Sequence, residues 1–194
     1  MTDDLPFTGR LALVTGASRG IGAATAEALG KAGAHVLLTA RTASGLEAVE
    51  EAIHAAGGSA TIAPLDLTDA PAIPKFAAAV AERWTALDIM VLNGAMLGSL
   101  SPVEHLDAKE FARIFATNVF ATQAMIAAFD PMLRRSDKAD VVGLTSSVGS
   151  EPRAPPRRGA GATASAMMTL SGSSSVMPDA RSCFAILSAE MECR

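Results

Sequence analysis

Leu11-Ala12-Leu13-Val14-Thr15-Gly16-Ala17-Ser18-Arg19-Gly20-Ile21-Gly22 is the stretch that decides the fold of this chain. Its first residues are mostly apolar and predict a buried parallel strand, while the alanine-rich residues 23–32 after it predict a helix. A turn with three glycines joins the two. Strand, glycine turn and helix in this order predict a phosphate site, because backbone N–H groups and the positive end of the helix face the ligand without intervening side chains.

Each glycine of the turn has a separate physical role. Gly16 can adopt the positive φ that a sharp exit from a strand often needs. Gly20 allows the backbone to approach a pyrophosphate closely, and Gly22 allows the helix to pack tightly on the strand. The spacing differs from the commoner dinucleotide motif, and glycines also occur in ordinary structural turns, but the flanking strand and helix favour nucleotide binding.

Composition restricts the class of protein. The chain has 194 residues, which is enough to form one core. Its net charge of −4 indicates no basic surface for nucleic acid. No apolar run reaches the ~20 residues of a membrane span, and the acidic start does not resemble a signal peptide. Cys183 and Cys193 have no histidine or cysteine cluster beside them, so neither a metal site nor a disulfide framework is predicted. We therefore expect a cytoplasmic protein.

Strands and helices alternate along most of the chain. Strands are predicted at residues 34–39, 59–65, 87–92 and 139–145, and helices at 44–56, from about 68 to 84, around 103–105 and from about 107 to 135. Ser44 is the predicted N-cap of the second helix, and Thr68 or Asp69 that of the third. The fold class is therefore α/β, a Rossmann-type doubly wound parallel sheet with strand order 3-2-1-4-5 and its ligand crevice at the strands' carboxyl ends.

The pattern changes abruptly near Pro155. Residues 155–194 are rich in small residues and show no sustained period, apart from a short apolar piece at 184–187 and a weak helical turn predicted at 167–170. We therefore divide the chain into a nucleotide-binding domain, residues 1–154, and a poorly specified tail, residues 155–194.

With the strands placed, residues 7–154 resemble the short-chain dehydrogenase/reductase family. Thr15-Gly16-Ala17-Ser18-Arg19-Gly20-Ile21-Gly22 matches the family's glycine motif. Asn93-Gly94-Ala95 stands where the family has Asn-Ala-Gly, with the last two residues interchanged. The resemblance implies an oxidoreductase that binds NAD(P), held here by the following residues: Thr15, Gly16, Ser18, Arg19, Gly20, Ile21, Gly22, Arg41, Asp66, Leu67, Asn93, Gly94 and Ala95.

The resemblance also assigns individual roles. Asp66, after the third strand, would approach the adenine, Asn118 would support a proton-relay water, and Ser146 would hold the substrate oxygen. Each residue has a second interpretation: Asp66 can simply cap a turn, Asn118 can be a satisfied buried amide, and Ser146 can be one more polar residue leaving a strand. The three histidines share no spacing and are interpreted as surface or boundary residues.

The charge pattern favours NADP over NAD. An acid at the end of the second strand would bind a ribose 2′-hydroxyl and repel a 2′-phosphate, whereas this strand is followed by Arg41. Arg41 and Arg19 can grip a 2′-phosphate as charge-assisted forks. The alternative is that Arg41 is a solvated residue that opens a loop.

The family's proton-transfer pair is missing. It would follow Ser146 as a tyrosine at position 159 and a lysine at 163, where this sequence has Gly159 and Thr163; the chain has no tyrosine, and its last lysine is Lys138. Loss of a positioned acid–base group typically costs ~10²–10⁴-fold in rate. Whether the chain is an enzyme is therefore open: it is an impaired oxidoreductase acting on a small carbonyl or alcohol, a catalytically dead nucleotide-binding module, or a product whose reading frame changes near codon 155. A homo-oligomer is possible, but the family's second interface helix is missing here.

Overall fold

The computed structural model describes residues 5–99, 102–145 and 166–169. Its strands form one sheet in the order β3-β2-β1-β4-β5-β6. The first five are parallel, which confirms the predicted order 3-2-1-4-5. Their bounds are β1 Leu11–Thr15, β2 His35–Thr39, β3 Ser59–Ile62, β4 Ile89–Leu92, β5 Asp140–Thr145 and β6 Ala166–Thr169.

Helices connect the parallel strands, as right-handed crossovers require. The fourth connection, from β4 to β5, is the longest and consists of a short 3₁₀ turn followed by α4, a π-helical turn and α5. The bounds are α1 Gly20–Lys31, α2 Ala43–Ala55, α3 Ala72–Arg83, the 3₁₀ turn Val103–His105, α4 Ala108–Phe115, the π turn Ala116–Phe120 and α5 Ala121–Leu133. The π turn interrupts the single long helix predicted over 107–135.

Two apolar cores lie on opposite faces of the sheet. Because side chains alternate along a strand, β1 contributes Leu11 and Leu13 to one core and Ala12 and Val14 to the other. The first core also holds α3 and α5, and the second holds α1 and α2. The sheet is thus covered on both faces, which explains why its central strands read as continuous apolar runs.

The register places the turns that follow β1, β2, β3 and β4 at one edge of the sheet. Thr15 at the end of β1 pairs with Thr39 at the end of β2, and Val14 pairs with Val91 of β4. The segments that leave β1, β2, β3 and β4 therefore converge, and this edge is where doubly wound sheets bind ligands.

Both predicted helix caps are wrong. Ser44 lies inside α2, whose N-cap position is Thr42, an extended residue with φ of −112°. The third helix begins after Pro71, because the carbonyl of Asp69 accepts the N–H of Ala72 in a turn before it. Neither helix begins with a side-chain cap, since no capping hydrogen bond is made by Thr42 before α2 or at Pro71 before α3.

The weak helical turn predicted at 167–170 is also wrong. Ala166–Thr169 form β6, which pairs antiparallel with β5, Val142 opposite Thr169. The outer edge of β5 presents unpaired backbone groups, and pairing with them outweighs a weak local helical preference. The apolar piece at 184–187 lies outside the described residues.

No helix in the described part of the chain is long and apolar enough to cross a membrane.

Candidate functional site

A cleft of about 470 Å³ opens at the carboxyl edge of the sheet. Its walls are the segments that follow β1, β2, β3 and β4, so the site lies where the fold predicts a ligand. Of the residues predicted to bind the cofactor, the following line the cleft: Gly16, Ser18, Arg19, Arg41, Asp66, Leu67, Asn93, Gly94 and Ala95.

The glycine turn has the geometry that its spacing predicts. Gly16 has φ of +66° and Gly20 has φ of +58°, both in the left-handed region that glycine adopts without strain. A Cβ on Gly22 would overlap the carbonyl of Gly16 and lie 2.5 Å from Nδ2 of Asn93, so only glycine fits there. At Gly20, by contrast, no heavy atom of the described residues lies within 4 Å of an added Cβ. Close packing behind the turn and open space in front of it suit a phosphate group.

The N-terminus of α1 is left available to a ligand. Arg19 occupies its N-cap position in an extended conformation, and its side chain makes no capping hydrogen bond. The N–H groups of the first helical turn have no partner within the helix, and they carry the positive end of the helix dipole. These donors and the glycine turn together fit a pyrophosphate.

Thr15 and Asn93 fasten β1 to the segment after β4. The hydroxyl of Thr15 accepts hydrogen bonds from the N–H of Asn93 and the N–H of Gly94, both at 2.9 Å. In return, Nδ2 of Asn93 donates to the carbonyls of Thr15 at 3.0 Å and Gly16 at 3.2 Å. The Asn93 side chain therefore supports the glycine turn from behind.

The interchange at Gly94-Ala95 places a glycine against Leu67 and the alanine methyl group in the cleft. A Cβ at position 94 would lie 2.7 Å from Cδ1 of Leu67 and 3.3 Å from the N of Gly16. Leu67, which follows β3, occupies the volume that an alanine methyl would need. The methyl group is carried instead by Ala95, which is exposed in the cleft.

Asp66 caps its own turn. Its Oδ1 accepts the N–H of Thr68 at 2.9 Å and the hydroxyl of Thr68 at 2.8 Å. These two hydrogen bonds, with the positive charges of Arg41 and Arg113 nearby, hold the pKa of Asp66 below its usual value. The turn-capping interpretation is thus present in the structure, and the carboxylate also lines the cleft.

Asn118 lies in the π turn, and its amide is satisfied by the backbone of a single residue. Its Oδ1 accepts the N–H of Met96, and its Nδ2 donates to the carbonyl of Met96, both at 2.8 Å. The side chain is exposed, so the expectation of a buried amide is wrong, although the amide is satisfied. It ties the segment after β4 to the helix.

Ile21 is partly exposed, at 48%, beside the glycine turn. The predicted substrate-binding Ser146 lies outside the described residues, as do Gly159 and Thr163 at the positions of the family's proton-transfer pair. Their roles stay predictions from the sequence.

Sequence reasoning missed part of the cleft wall, namely Thr39, Ala40, Thr42, Ser44, Gly45, Leu65, Thr68, Met96 and Thr117. Gly45 offers a usable signal, because a Cβ there would lie 2.9 Å from Cβ of Ser18 in the glycine turn. A glycine in the first turn of a helix, where it weakens the helix, indicates such a close approach. Met96 and Thr117 carry no comparable signal.

The doubly wound sheet and the glycine-lined cleft at its carboxyl edge define a Rossmann-type dinucleotide-binding fold. The family model for short chain dehydrogenases matches residues 10–168, which is most of the sequence. The chain therefore belongs to the short-chain dehydrogenase family. The match includes positions 159 and 163 and runs beyond residue 154, where the motif resemblance ends.

Similar proteins of known sequence include a fatty acyl-CoA reductase from Acinetobacter baylyi, 34% identical over 71% of this chain and 47% of that protein. A sorbitol dehydrogenase from Cereibacter sphaeroides is 34% identical over 73% of this chain and 54% of its own length. The chain thus spans about half the length of the curated relatives it matches.

Solved structures show the same fold. A metagenomic short-chain oxidoreductase in complex with NADP is 37% identical, with a TM-score of 0.73, over 76% of this chain and 67% of that one. A proposed short chain dehydrogenase from Escherichia coli CFT073, complexed with NADPH, is 32% identical, with a TM-score of 0.73, over 78% of this chain and 64% of that one.

Proposed function

We propose that the chain binds NADP(H) in the cleft at the carboxyl edge of its sheet. The observation that carries this proposal is the cradle itself: Gly22 packed against Gly16 and Asn93, and Gly20 facing open space before an uncapped helix N-terminus. Similar chains have been solved with NADP and with NADPH, which supports the same class of ligand here.

The preference for NADP(H) over NAD(H) is assigned to Arg41 and Arg19. Both line the cleft and both are exposed, so their guanidinium groups are free to face a 2′-phosphate. The segment after β2 reads Ala40-Arg41-Thr42 and offers no carboxylate to a 2′-hydroxyl. Charge-assisted bonds from arginine to a dianionic phosphate are stronger than the hydrogen bonds that a neutral ribose hydroxyl can accept from the same arginines.

The proposed reaction is hydride transfer between the nicotinamide and the carbon of a small carbonyl or alcohol. The bound cofactor supplies the hydride chemistry, and the protein supplies position. Asn118 ties Met96 to the helix beside the cleft, and Ser146 would hold the substrate oxygen. Gly159 offers no proton and Thr163 no positive charge, so this chain as written is proposed to turn over slowly or not at all.

The second candidate is a nucleotide-binding module without activity, with the division into residues 1–154 and 155–194 as its boundary. The absence of any tyrosine from the sequence favours it. The frame-change hypothesis near codon 155 has its own test in the coding DNA. A tyrosine codon followed four codons later by a lysine codon, in either other frame, is the expected finding, and its absence from both would overturn the hypothesis.

The test of the proposed function is a fluorescence titration of the full chain with NADPH and with NADH, followed by turnover assays on a panel of carbonyls. Arg41→Ala is expected to weaken NADPH binding about 10-fold and to leave NADH binding unchanged. Arg134→Ala, an exposed arginine paired with Asp130 on α5, is the matched control. Equal loss for both nucleotides would contradict the role of Arg41, and no binding of either would overturn the proposal.

A further inference from the structure

The loop that follows β4, residues 94–99, forms one wall of the cleft and is called the β4 loop below. Its first residues, Gly94, Ala95 and Met96, face the cleft. β4 is two strands away from β2 in the sheet, so the β4 loop lies at the end of the cleft that is remote from Arg41. A loop in this place decides the shape of the site without forming part of the glycine turn.

The far end of the β4 loop is bound to α4 by one carboxylate. Oε1 of Glu110 accepts the N–H of Ser99 at 2.8 Å and the hydroxyl of Ser99 at 2.9 Å. Both are hydrogen bonds to an ionised acceptor, which are stronger than neutral ones. One side chain thereby fixes both the backbone and the rotamer of Ser99.

The residue before Ser99 is shaped to allow this approach. Gly98 has φ of +74°, and a Cβ on it would overlap Cδ1 of Ile114, one turn along α4 from Glu110. The same Cβ would lie 3.5 Å from Oε1 of Glu110. The loop backbone therefore rests directly on α4, at the point where the carboxylate holds it.

A second attachment lies eight residues further along the same helical segment. Asn118 exchanges two hydrogen bonds with the backbone of Met96. The loop is thus held at Met96 and at Ser99, and Leu97 between them is 80% exposed. Holding two points three residues apart fixes the path of the intervening backbone.

We propose that Glu110 is a positioning residue, which holds the β4 loop in the conformation that binds the end of the cofactor remote from Arg41. This inference rests on the proposed function, because it assigns the loop to the same cofactor site. Glu110 lies in the first turn of α4, where a carboxylate also stabilises the helix dipole. The two roles separate in a glutamine variant, which keeps the oxygen acceptor and removes the charge.

The experiment compares the full-length wild type with Glu110→Ala, Glu110→Gln and Glu104→Ala, the last a nearby exposed glutamate as control. The first readout is amide hydrogen exchange of Ser99 in the protein without cofactor. Glu110→Ala is expected to speed exchange of this amide about tenfold, Glu110→Gln, which keeps a neutral acceptor, to have a smaller effect, and Glu104→Ala to stay near wild type.

The second readout is binding of two probes, NADPH and adenosine 2′,5′-bisphosphate. The bisphosphate carries the 2′-phosphate and lacks the nicotinamide half. Glu110→Ala is expected to weaken NADPH binding about 3–10-fold and to leave bisphosphate binding unchanged, with Glu110→Gln restoring most of the loss. A general loss of stability would weaken both probes alike, and thermal unfolding of each variant checks for it.

The outcomes are distinct. Unchanged Ser99 exchange in a folded Glu110→Ala, or an equal loss for both probes, would overturn the inference while leaving the cofactor site intact. Faster Ser99 exchange together with selective loss of NADPH supports it. Failure of the wild type to bind either probe would overturn the proposed function, and the assignment of Glu110 to the cofactor with it.

Discussion

β1 and β5 belong to one sheet but are packed very differently. All five residues of β1 are buried, whereas β5 has two exposed residues and four of intermediate exposure. Val14 of β1, Val91 of β4 and Val142 of β5 lie in one row across the sheet, and burial falls along that row towards β5. Each of the two strands leads into a residue of the predicted site, Gly16 after β1 and Ser146 after β5.

The contrast shows which half of the predicted site is built by the described residues. The glycine turn is anchored on a strand packed from both faces and held from behind by Asn93. β5, the strand that precedes Ser146 in the sequence, has no fully buried residue among its six. The glycine turn thus has a firmly packed support on β1, and four sets of substitutions test how much this packing matters.

The largest effect is expected at Gly22. In Gly22→Ala the new methyl group overlaps the Gly16 carbonyl and crowds the Asn93 amide, so the turn must move. We expect a loss of about 3 kcal/mol in the free energy of unfolding, measured by urea denaturation, together with loss of nucleotide binding. Gly20→Ala is the control, with open space but a positive φ, and should cost only about 1 kcal/mol. Equal losses would show that the packing behind the turn is unimportant.

Next in size is a matched pair within one row of the sheet. Val14→Ala removes two methyl groups from a site that is fully buried and should cost about 2–3 kcal/mol. Val142→Ala removes the same groups from a partly exposed site and should cost about 1 kcal/mol or less. Urea denaturation of the full chain measures both. Similar losses would mean that β5 is packed as firmly as β1.

Thr15→Val keeps the shape of the side chain and removes its hydroxyl. The N–H groups of Asn93 and Gly94 then lose their acceptor, which should cost about 1–3 kcal/mol. The loss appears as a lower urea midpoint with an unchanged slope. Thr15→Ser retains the hydroxyl and should recover most of the stability. If Thr15→Val leaves the stability unchanged, water must replace the Thr15 hydroxyl as the acceptor.

The smallest effect is a pH dependence far from the cleft. Burial, with Arg83 and His54 as neighbouring positive groups, lowers the pKa of His35 from its ordinary value of 6.5. The unfolded chain therefore takes up the proton first, so the stability gained from neutral His35 is complete above pH 6.5 and is lost as the pH falls below it. Trp84, the one tryptophan of the sequence, stacks on His35 with 5.5 Å between the ring centroids. Its fluorescence therefore reports unfolding. His35→Gln should make the free energy of unfolding depend less steeply on pH in this range. An unchanged dependence would assign it to other titrating groups.

The sequence predicted the sheet order and the glycine turn because both depend on local patterns. Apolar runs of strand length and glycines at fixed spacing leave few alternatives: Gly16 has the predicted positive φ, and Gly22 has the predicted close packing. Asn93 was predicted as a cofactor residue, and the structure adds that its amide holds the turn.

The remaining features depend on contacts between distant residues. The Glu110–Ser99 pair and the Asn118–Met96 pair join a loop to a helix. Neither pair produces a periodic pattern in the sequence that could have predicted it. The cap at Ser44 failed because a serine near a helix start is compatible with several first-turn positions. The prediction for residues 166–169 failed because the strand there depends on pairing with the edge of β5, which these four residues do not themselves encode.

The π turn at Ala116–Phe120 limits which insertions and deletions the segment from α4 to α5 can accept. Inserting or deleting one residue in a helix rotates everything beyond it by about 100°. The wide turn absorbs one such residue, so that α4 can present Glu110 to Ser99 while α5 presents Met125 and Phe129 to the core. Deleting one residue here would leave the core face of α5 in phase and turn Glu110 away from the loop. The contacts of Glu110 at one end and of Met125 and Phe129 at the other therefore constrain the length of this segment.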